Sequence, residues 1–276
     1  MRTVGVVGLG AMGLPMAETL AAAGLAVKGF DLDCGRRALL PGAVDTLAAV
    51  AEADAIVLSL PNDGVVKAVA GELLPLLRAG SLLVDTSTVA PQTARAVQAD
   101  AAARGVGYVD APVSGGAAGA AAGSLLVMAG GTDDDVARAR PVLDPLARLV
   151  VHCGGPGAGA VVKLANNMLC AGQLLLAGEA LRLADANGVS AEALLDAVNR
   201  GSGRSAVTEV NLPRWVLSGT FDSAFSLGLM AKDVTLAEGL SGAGILSAEI
   251  ARRWREAAET LGAGEDFNRI VLTRPQ

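Results

Sequence analysis

The sequence predicts an α/β fold: a doubly wound parallel sheet over residues 1–158, followed by an all-helical domain over 159–276. Three observations carry this reading. Up to about residue 155, short β-branched or leucine-rich runs alternate with stretches able to form helix, the pattern of βαβ units. A glycine-rich turn stands directly between the first run and the first helical stretch. Beyond Gly159 no strand-like run of any length remains.

Seven runs read as strands: TVGVVG from Thr3, AVKGFD from Ala26, AIVLSLP from Ala55, SLLVDTS from Ser81, VGYVDAPV from Val106, SLLVMAGG from Ser124 and RLVVHCG from Arg148. They are apolar nearly throughout, which suits a sheet covered on both faces. Residues 160–187 are apolar almost all round until Glu179 and Arg182, which predicts a helix buried in a protein core. SAEALLDAVNRG, DVTLAEGLSGAG and SAEIARRWREAAETLGAG then read as further helices, each closed by a glycine.

Composition excludes several classes. At 52% hydrophobic and 18% charged residues the chain can bury a large core, so intrinsic disorder is ruled out. A formal net charge of −6 with no long basic run argues against nucleic acid or an anionic membrane as partner. The longest uncharged window, residues 111–132, could span a bilayer by length, but six glycines and a proline divide it into loop, helix and strand. Gly8, Gly10, Gly13 and Pro15 interrupt the apolar N-terminal run before any signal-peptide cleavage pattern. Cys34, Cys153 and Cys170 are odd in number and lack metal-ligand spacing, so a reducing cytoplasm is expected. The one histidine, His152, ends an apolar run and reads as structural; zinc sites built on several histidines are excluded by count.

Residues 4–24, VGVVGLGAMGLPMAETLAAAG, are strand, G-x-G-x-x-G and helix. Gly8 permits the tight turn, Gly10 lets a pyrophosphate approach the backbone, and Gly13 lets helix and strand pack closely. Leu9, Ala11 and Met12 complete a loop whose amides open onto the helix N-terminus, where phosphates are received. Pro15 falls in the first turn, where its missing amide has no intrahelical partner. Asp31 ends the second run, 18 residues beyond Gly13. A carboxylate there accepts both ribose hydroxyls of NAD and repels the 2′-phosphate of NADP. Leu32 follows where an arginine would serve that phosphate, with Arg36 and Arg37 further on, so NAD is favoured in a Rossmann-type domain.

With these residues in view, the chain resembles the β-hydroxyacid dehydrogenase family, which includes 3-hydroxyisobutyrate dehydrogenase, tartronate semialdehyde reductase and, more distantly, 6-phosphogluconate dehydrogenase. The resemblance covers essentially the whole length through five segments in order: GLGAMGLPMA (8–17), DTSTVAP (85–91), DAPVSGG (110–116), GAGAVVKLANN (157–167) and FSLGLMAKD (225–233). It implies that Lys163 is the catalytic lysine and that Asn167 helps hold the substrate. Ser114, Gly115 and Gly116 match the loop that binds the substrate carboxylate. Leu60, Pro61, Val65 and Thr88 match cofactor contacts, and Lys232 matches a lysine reaching the cofactor from the helical domain. A long interdomain helix, a cleft between domains and a homodimer or homotetramer are also implied. So is a C-terminal helix at the active site across a subunit boundary, where the GEDFNRIVLTRPQ tail is short.

The residues are compatible with these roles and leave alternatives. Lys163 and Asn167 are four apart, so one helical face presents both. A lysine drawn into apolar surroundings loses basicity by desolvation and can take a proton near neutral pH; the alternative is a snorkelling lysine with its head in water. Asn166 could share that face, cap or pack. The amides of Gly115 and Gly116 with the Ser114 hydroxyl can form an anion-binding concavity, or simply a turn. Thr88 reads equally as a helix-capping hydroxyl, and Pro91 as the start of the helix after it. Lys232 with Asp233 could be an ordinary solvated pair. Arg204 could reach a carboxylate, and Trp215 and Phe225 read as core more than as cleft lining. The expected activity is NAD-dependent oxidation of a short 3-hydroxy acid, with Lys163 as general base. An NAD(P)H-dependent semialdehyde reductase uses the same residues in reverse, and a non-catalytic dinucleotide-binding module is the reading from another class.

Overall fold

In the computed structural model, residues 2–241 and 244–273 are described, and the chain divides into two compact units, Met1–Lys163 and Leu164–Gln276. The first unit holds β1 (Thr3–Val7), α1 (Gly13–Ala22), β2 (Ala26–Phe30), α2 (Cys34–Arg37), α3 (Leu47–Ala51), β3 (Ala55–Leu58), α4 (Asp63–Leu73), β4 (Leu82–Asp85), α5 (Pro91–Ala102), β5 (Gly107–Asp110), β6 (Val113–Ser114), α6 (Gly116–Ala121), β7 (Leu125–Gly130), α7 (Asp133–Leu143) and β8 (Ala147–Gly154). Helix α8 (Ala158–Ala186) begins here and continues into the second unit. There it is followed by α9 (Ala191–Arg200), a π-helical segment (Val207–Leu217), α10 (Leu227–Ser241), α11 (Ile245–Leu261) and a 3-10 segment (Phe267–Leu272).

All seven runs read as strands are strands. The sheet order is β2-β1-β3-β4-β5-β7-β6, with β8 beside β7. Neighbours from β2 through β5 are parallel, so β1 and β3 flank the point where the winding reverses, and ligands of such sheets sit beyond the carboxyl ends there. The sheet is parallel-dominant, as expected, with one departure: β7 runs antiparallel to β5 and to the short β6. The chain reverses through the compact β6–α6 excursion rather than through a full crossover helix, and antiparallel neighbours need no such crossover. Strand β8 then returns parallel to β7.

Alternation within the strands builds two cores. Val4, Val6, Ala55, Val57, Leu82 and Val84 join Met16, Leu20 and Leu143 on one face, while Val7, Ile56, Leu58 and Leu83 join Val66, Leu73 and Tyr108 on the other. Both faces are buried, which is why the strands read as continuous apolar runs.

The second unit packs around Ala171 and Leu174 of α8, Met230 and Val234 of α10, and Trp254 of α11. The Trp254 indole is fully buried and its Nε1 donates to the Ala171 carbonyl. The expectation of an α8 buried on all sides fails. Val162, Leu169, Leu176 and Leu183 lie on its surface, the three leucines 67–69% exposed. Apolar composition identified the helix, but nothing in it distinguishes a face turned to this chain's core from a face turned outward. The closing glycines hold unevenly: Gly262 ends α11 at φ +107°, whereas Gly201 after α9 is extended. Gly242 and Ala243, near the end of the DVTLAEGLSGAG stretch, and the tail residues Arg274 to Gln276 lie outside the described residues, as does Met1.

Truncating Trp254 to alanine removes the largest buried side chain of the second unit and the indole bond to α8. Trp254→Ala should cost about 3–5 kcal/mol in equilibrium denaturation followed by the far-UV helical signal; a change below about 1 kcal/mol would show that this core does not organise around it.

Candidate dinucleotide and hydroxy-acid site

The glycine loop between β1 and α1 adopts the geometry its spacing predicts. Gly8 has φ +91°, a left-handed conformation, and donates its amide to the Phe30 carbonyl (2.8 Å). A Cβ on Gly13 would overlap the Gly8 carbonyl oxygen, so helix and turn touch only because neither residue has a side chain. Gly10 differs: a Cβ there would meet only Arg36, at 3.7 Å, so its surroundings are open. The α1 N-terminus carries no side-chain cap and no acid in its first turn. Uncapped amides beside an open glycine fit the pyrophosphate of a dinucleotide. Leu9 is buried, while Ala11 is exposed and Met12 half-buried on the same loop.

Asp31 stands beside this loop, and its Oδ2 accepts the Leu9 amide (2.8 Å). Its Oδ1 accepts the Asp33 amide, and Arg36 Nη1 lies 3.6 Å from Oδ2. Its side chain is 11% exposed, so the carboxylate is held at the end of β2 with lone pairs to spare. Past β3, the Leu60 amide donates to the Ser87 hydroxyl oxygen (2.9 Å), and Pro61 is exposed. Asn62 caps α4 through the Val65 amide (3.0 Å), so Val65 can offer a ligand its side chain but not its N–H. Asp63 accepts both the Ala90 amide and the Thr93 hydroxyl, tying the segment that carries Thr88 to the start of α4. Helix α5 opens at Pro91 behind Ala90, whose side chain makes no capping bond.

Two acids end neighbouring strands in register, Asp85 on β4 and Asp110 on β5, each 1% exposed. Burial pushes the Asp85 carboxyl up to about 6 against the bonds it accepts from Ser87 and Tyr108. Burial likewise pushes Asp110 up to about 6, although it accepts the amides of Gly157 (2.7 Å) and Ala160 (2.9 Å) at the start of α8. The Tyr108 hydroxyl is raised by the same burial and by both acids. Downstream of Asp110 the chain turns through Gly115 (φ +132°) and Gly116 (φ +64°), both exposed, and α6 begins without a side-chain cap after a half-buried Ser114.

On α8, Lys163 is 8% exposed, so its head is not in water as the snorkelling alternative requires. Asn167, one turn on, is 4% exposed. Its Nδ2 donates to Asp233 Oδ2 (2.7 Å), and its Oδ1 accepts Asn166 Nδ2 (3.1 Å), so Asn166 bonds along the helix rather than capping it. Asp233 is 2% exposed and its Oδ1 lies 3.0 Å from Lys232 Nζ, so this is no ordinary solvated pair. Bonds at both ends of the amide fix which way Asn167 faces, leaving the second Nδ2 hydrogen to donate. Sequence reasoning missed Asp85, Asp110 and Asp233 as site residues; the available signal was that each is an acid inside or ending an otherwise apolar run.

Other expected residues lie elsewhere. His152 Nε2 is within 3.1 Å of the Gly131 and Gly154 carbonyls, in keeping with a structural role. Arg204 pairs with Glu209 (3.1 Å). Phe225 packs edge-on to Phe267 in the helical core, and Trp215 is half-buried under Arg214. The three cysteines are free, and no metal-binding cluster occurs among the described residues.

Fold and loop together define a dinucleotide-dependent oxidoreductase. Residues 3–155 match the NAD-binding domain of 6-phosphogluconate dehydrogenase, and residues 157–273 match the NAD-binding domain of NADP-dependent 3-hydroxyisobutyrate dehydrogenase. A probable 3-hydroxyisobutyrate dehydrogenase of Mycobacterium tuberculosis H37Rv is 40% identical over 248 residues, covering 86% of this chain and 84% of that one. An NAD-dependent L-serine dehydrogenase of Pseudomonas aeruginosa is 36% identical over 260 residues, covering 86% and 85%. A solved M. tuberculosis 3-hydroxyisobutyrate dehydrogenase with L-serine superposes at a TM-score of 0.92, with 36% identity over 99% of this chain and 98% of that one. The chain belongs to the β-hydroxyacid dehydrogenase family and is a hydroxyacid dehydrogenase.

Because the folded Asp85 carboxyl titrates near 6 and an unfolded one near 3.8, the native state holds the extra proton between those values. Stability from this group therefore falls as pH rises from about 4 to 6 and stays low above. Asp85→Asn, which can keep both hydrogen bonds, should flatten that slope and raise stability at pH 7 by up to about 3 kcal/mol. Urea denaturation of both proteins at pH 4.5, 5.5 and 7 reads it; parallel curves would refute the buried-acid assignment.

Proposed function

We propose that the protein oxidises a short 3-hydroxy acid to its semialdehyde or keto acid with NAD, Lys163 acting as general base. The observation that carries this reading is Lys163 buried on α8 one turn before an amide held at both ends. A bound nicotinamide cofactor, held by the glycine loop and Asp31, would supply the hydride acceptor for the carbinol carbon. The residues of this chain do the rest. Lys163 Nζ, neutral before reaction, takes the hydroxyl proton and becomes an ammonium as the C–O bond gains double-bond character. Asn167 Nδ2 gives its remaining hydrogen to the substrate oxygen, and Asp233 holds the amide in the donating orientation. Ser114, Gly115 and Gly116 receive the substrate carboxylate, consistent with two positive-φ glycines ahead of an uncapped helix. In the reducing direction the same lysine returns the proton.

Gly8, Leu9, Gly10, Ala11, Met12 and Gly13 take the pyrophosphate, Asp31 takes the adenosine ribose, and Leu60, Pro61, Val65, Thr88 and Lys232 complete the cofactor contacts. Asp31 favours NAD, since a 2′-phosphate would meet its carboxylate; Arg36 already stands 3.6 Å from that acid. The substrate is a small molecule in a cytoplasmic enzyme that needs neither nucleic acid nor membrane. By length and composition α8 could cross a bilayer, yet Ala171, Leu174 and Ala177 on it are buried in the helical core. Its outer face, with Val162, Leu169, Leu176 and Leu183 at seven-residue spacing, suits a second copy of this chain in a homodimer or homotetramer.

Initial rates with short 3-hydroxy acids, serine and threonine included, should be higher with NAD than with NADP; the reverse preference would refute the Asp31 argument. Lys163→Ala should keep NADH binding and lose more than about 100-fold in kcat, and near-full turnover would end the general-base assignment. Light scattering should give at least a dimer for the native chain and a smaller species for Leu176→Glu. A monomeric native chain would overturn the assembly.

A further inference from the structure

The buried acid at the end of β5 does more than close a strand. Asp110 meets the start of α8 through both carboxylate oxygens: Oδ1 accepts the Gly157 amide at 2.7 Å and Oδ2 accepts the Ala160 amide at 2.9 Å. Lys163 lies one helical turn beyond Ala160. The acid also heads the DAPVSGG segment, so Ser114, Gly115 and Gly116 follow it directly along the chain.

The joint has little slack. A Cβ on Gly130 would stand 2.6 Å from both Asp110 Oδ1 and the Gly159 amide nitrogen, and a Cβ on Gly159 would overlap the Met128 carbonyl oxygen. On the other side Arg95 Nε donates to the Pro156 carbonyl (3.3 Å). Strand end, glycine pair and helix start therefore close on one carboxylate. The two N–H groups meet separate oxygens of one charged group, an arrangement that Asn, Ser or Thr, with a single acceptor atom and no charge, cannot reproduce. A shift of about 1 Å at a proton-transferring group can cost on the order of 100-fold in rate.

We propose that Asp110 is a positioning residue for the dehydrogenase reaction, fixing the first turn of α8 and with it Lys163 relative to the glycine loop that follows Asp110. The proposal rests on Lys163 being the base. Groups facing Asp110 are Asp85 on the adjacent strand, Tyr108 on its own strand and Cys153 on β8, whose thiol is raised by burial and by the Asp110 charge. Burial holds Asp110 near 6, so the helix start loses its ionised cap as pH falls below that value.

The test compares native enzyme, Asp110→Asn and Lys163→Ala, with active sites counted by NADH titration. Rates use a hydroxy acid deuterated at the carbinol carbon beside its protiated form. For Asp110→Asn, kcat per NADH-binding site should fall about 10–100-fold with KM and NADH affinity within about 3-fold. The deuterium effect on kcat should rise as chemistry becomes rate-limiting. Both enzymes should lose kcat as Lys163 protonates, and the native enzyme should show a further loss below pH 6 that is absent from Asp110→Asn. A purely structural acid would lower the number of sites and leave per-site kcat, its isotope effect and the acid limb unchanged, and that result overturns the proposal. If Asp110→Asn does not accumulate folded, Asp110→Glu keeps charge and both acceptors but displaces them, and an unchanged per-site kcat there overturns it equally. Loss of turnover in Lys163→Ala with full per-site turnover in Asp110→Asn rejects positioning alone. Full turnover in Lys163→Ala rejects the base assignment on which it stands.

Discussion

Two backbone amides bonded to the carboxylate of Asp110 join the sheet to the start of α8, the helix that bears Lys163. Helix N-termini leave N–H groups without intrahelical partners, and those groups have to be answered by side chains, ligands or solvent. This chain answers them differently by location. Side-chain caps close α4 with Asn62, α7 with Thr132 and α9 with Ser190. At α1 and α6 no side chain caps the end. These are the glycine-rich loops assigned to pyrophosphate and carboxylate, the two anionic groups of the reaction. Helices α5 and α11 also begin without a side-chain cap, so an uncapped end does not by itself mark a ligand site; the glycine turns ahead of α1 and α6 are what set those two apart.

Glycine serves that arrangement through absence of volume. Gly13 lets α1 sit against the Gly8 turn, and Gly159 with Gly130 lets α8 begin against the strand ends. Close packing also surrounds the strand-end acids Asp85 and Asp110, each 1% exposed. Desolvation then dominates, and both carboxyls move to about 6. Asp233 illustrates another use of a buried acid: it orients a neighbouring amide, turning Asn167 into a donor of known direction.

How much of the candidate site was legible depended on the range of the interaction. The G-x-G-x-x-G loop, Asp31 and the Lys163–Asn167 spacing are local patterns, and each occupies the geometry its spacing implies. Asn166 was ambiguous because an amide on a helix can point several ways, and only its bond to Asn167 resolves it. Asp110 was read as part of a strand-end motif. Its acceptors reach residues 47 and 50 positions away, and no local pattern encodes such a pairing. The antiparallel placement of β7 escaped for the same reason, since an apolar strand reads identically in either direction.

By itself, the sequence determined the element types, the dinucleotide loop and the segment bearing the lysine, because periodicity and glycine spacing act within a few residues. Tertiary structure alone decided which face of α8 is buried, which acids are desolvated and which amides they hold. The physical reason is that burial and hydrogen-bond pairing are set by groups brought together from distant positions. A leucine at position 176 and one at position 174 look alike in the chain, yet the first is 68% exposed and the second wholly buried.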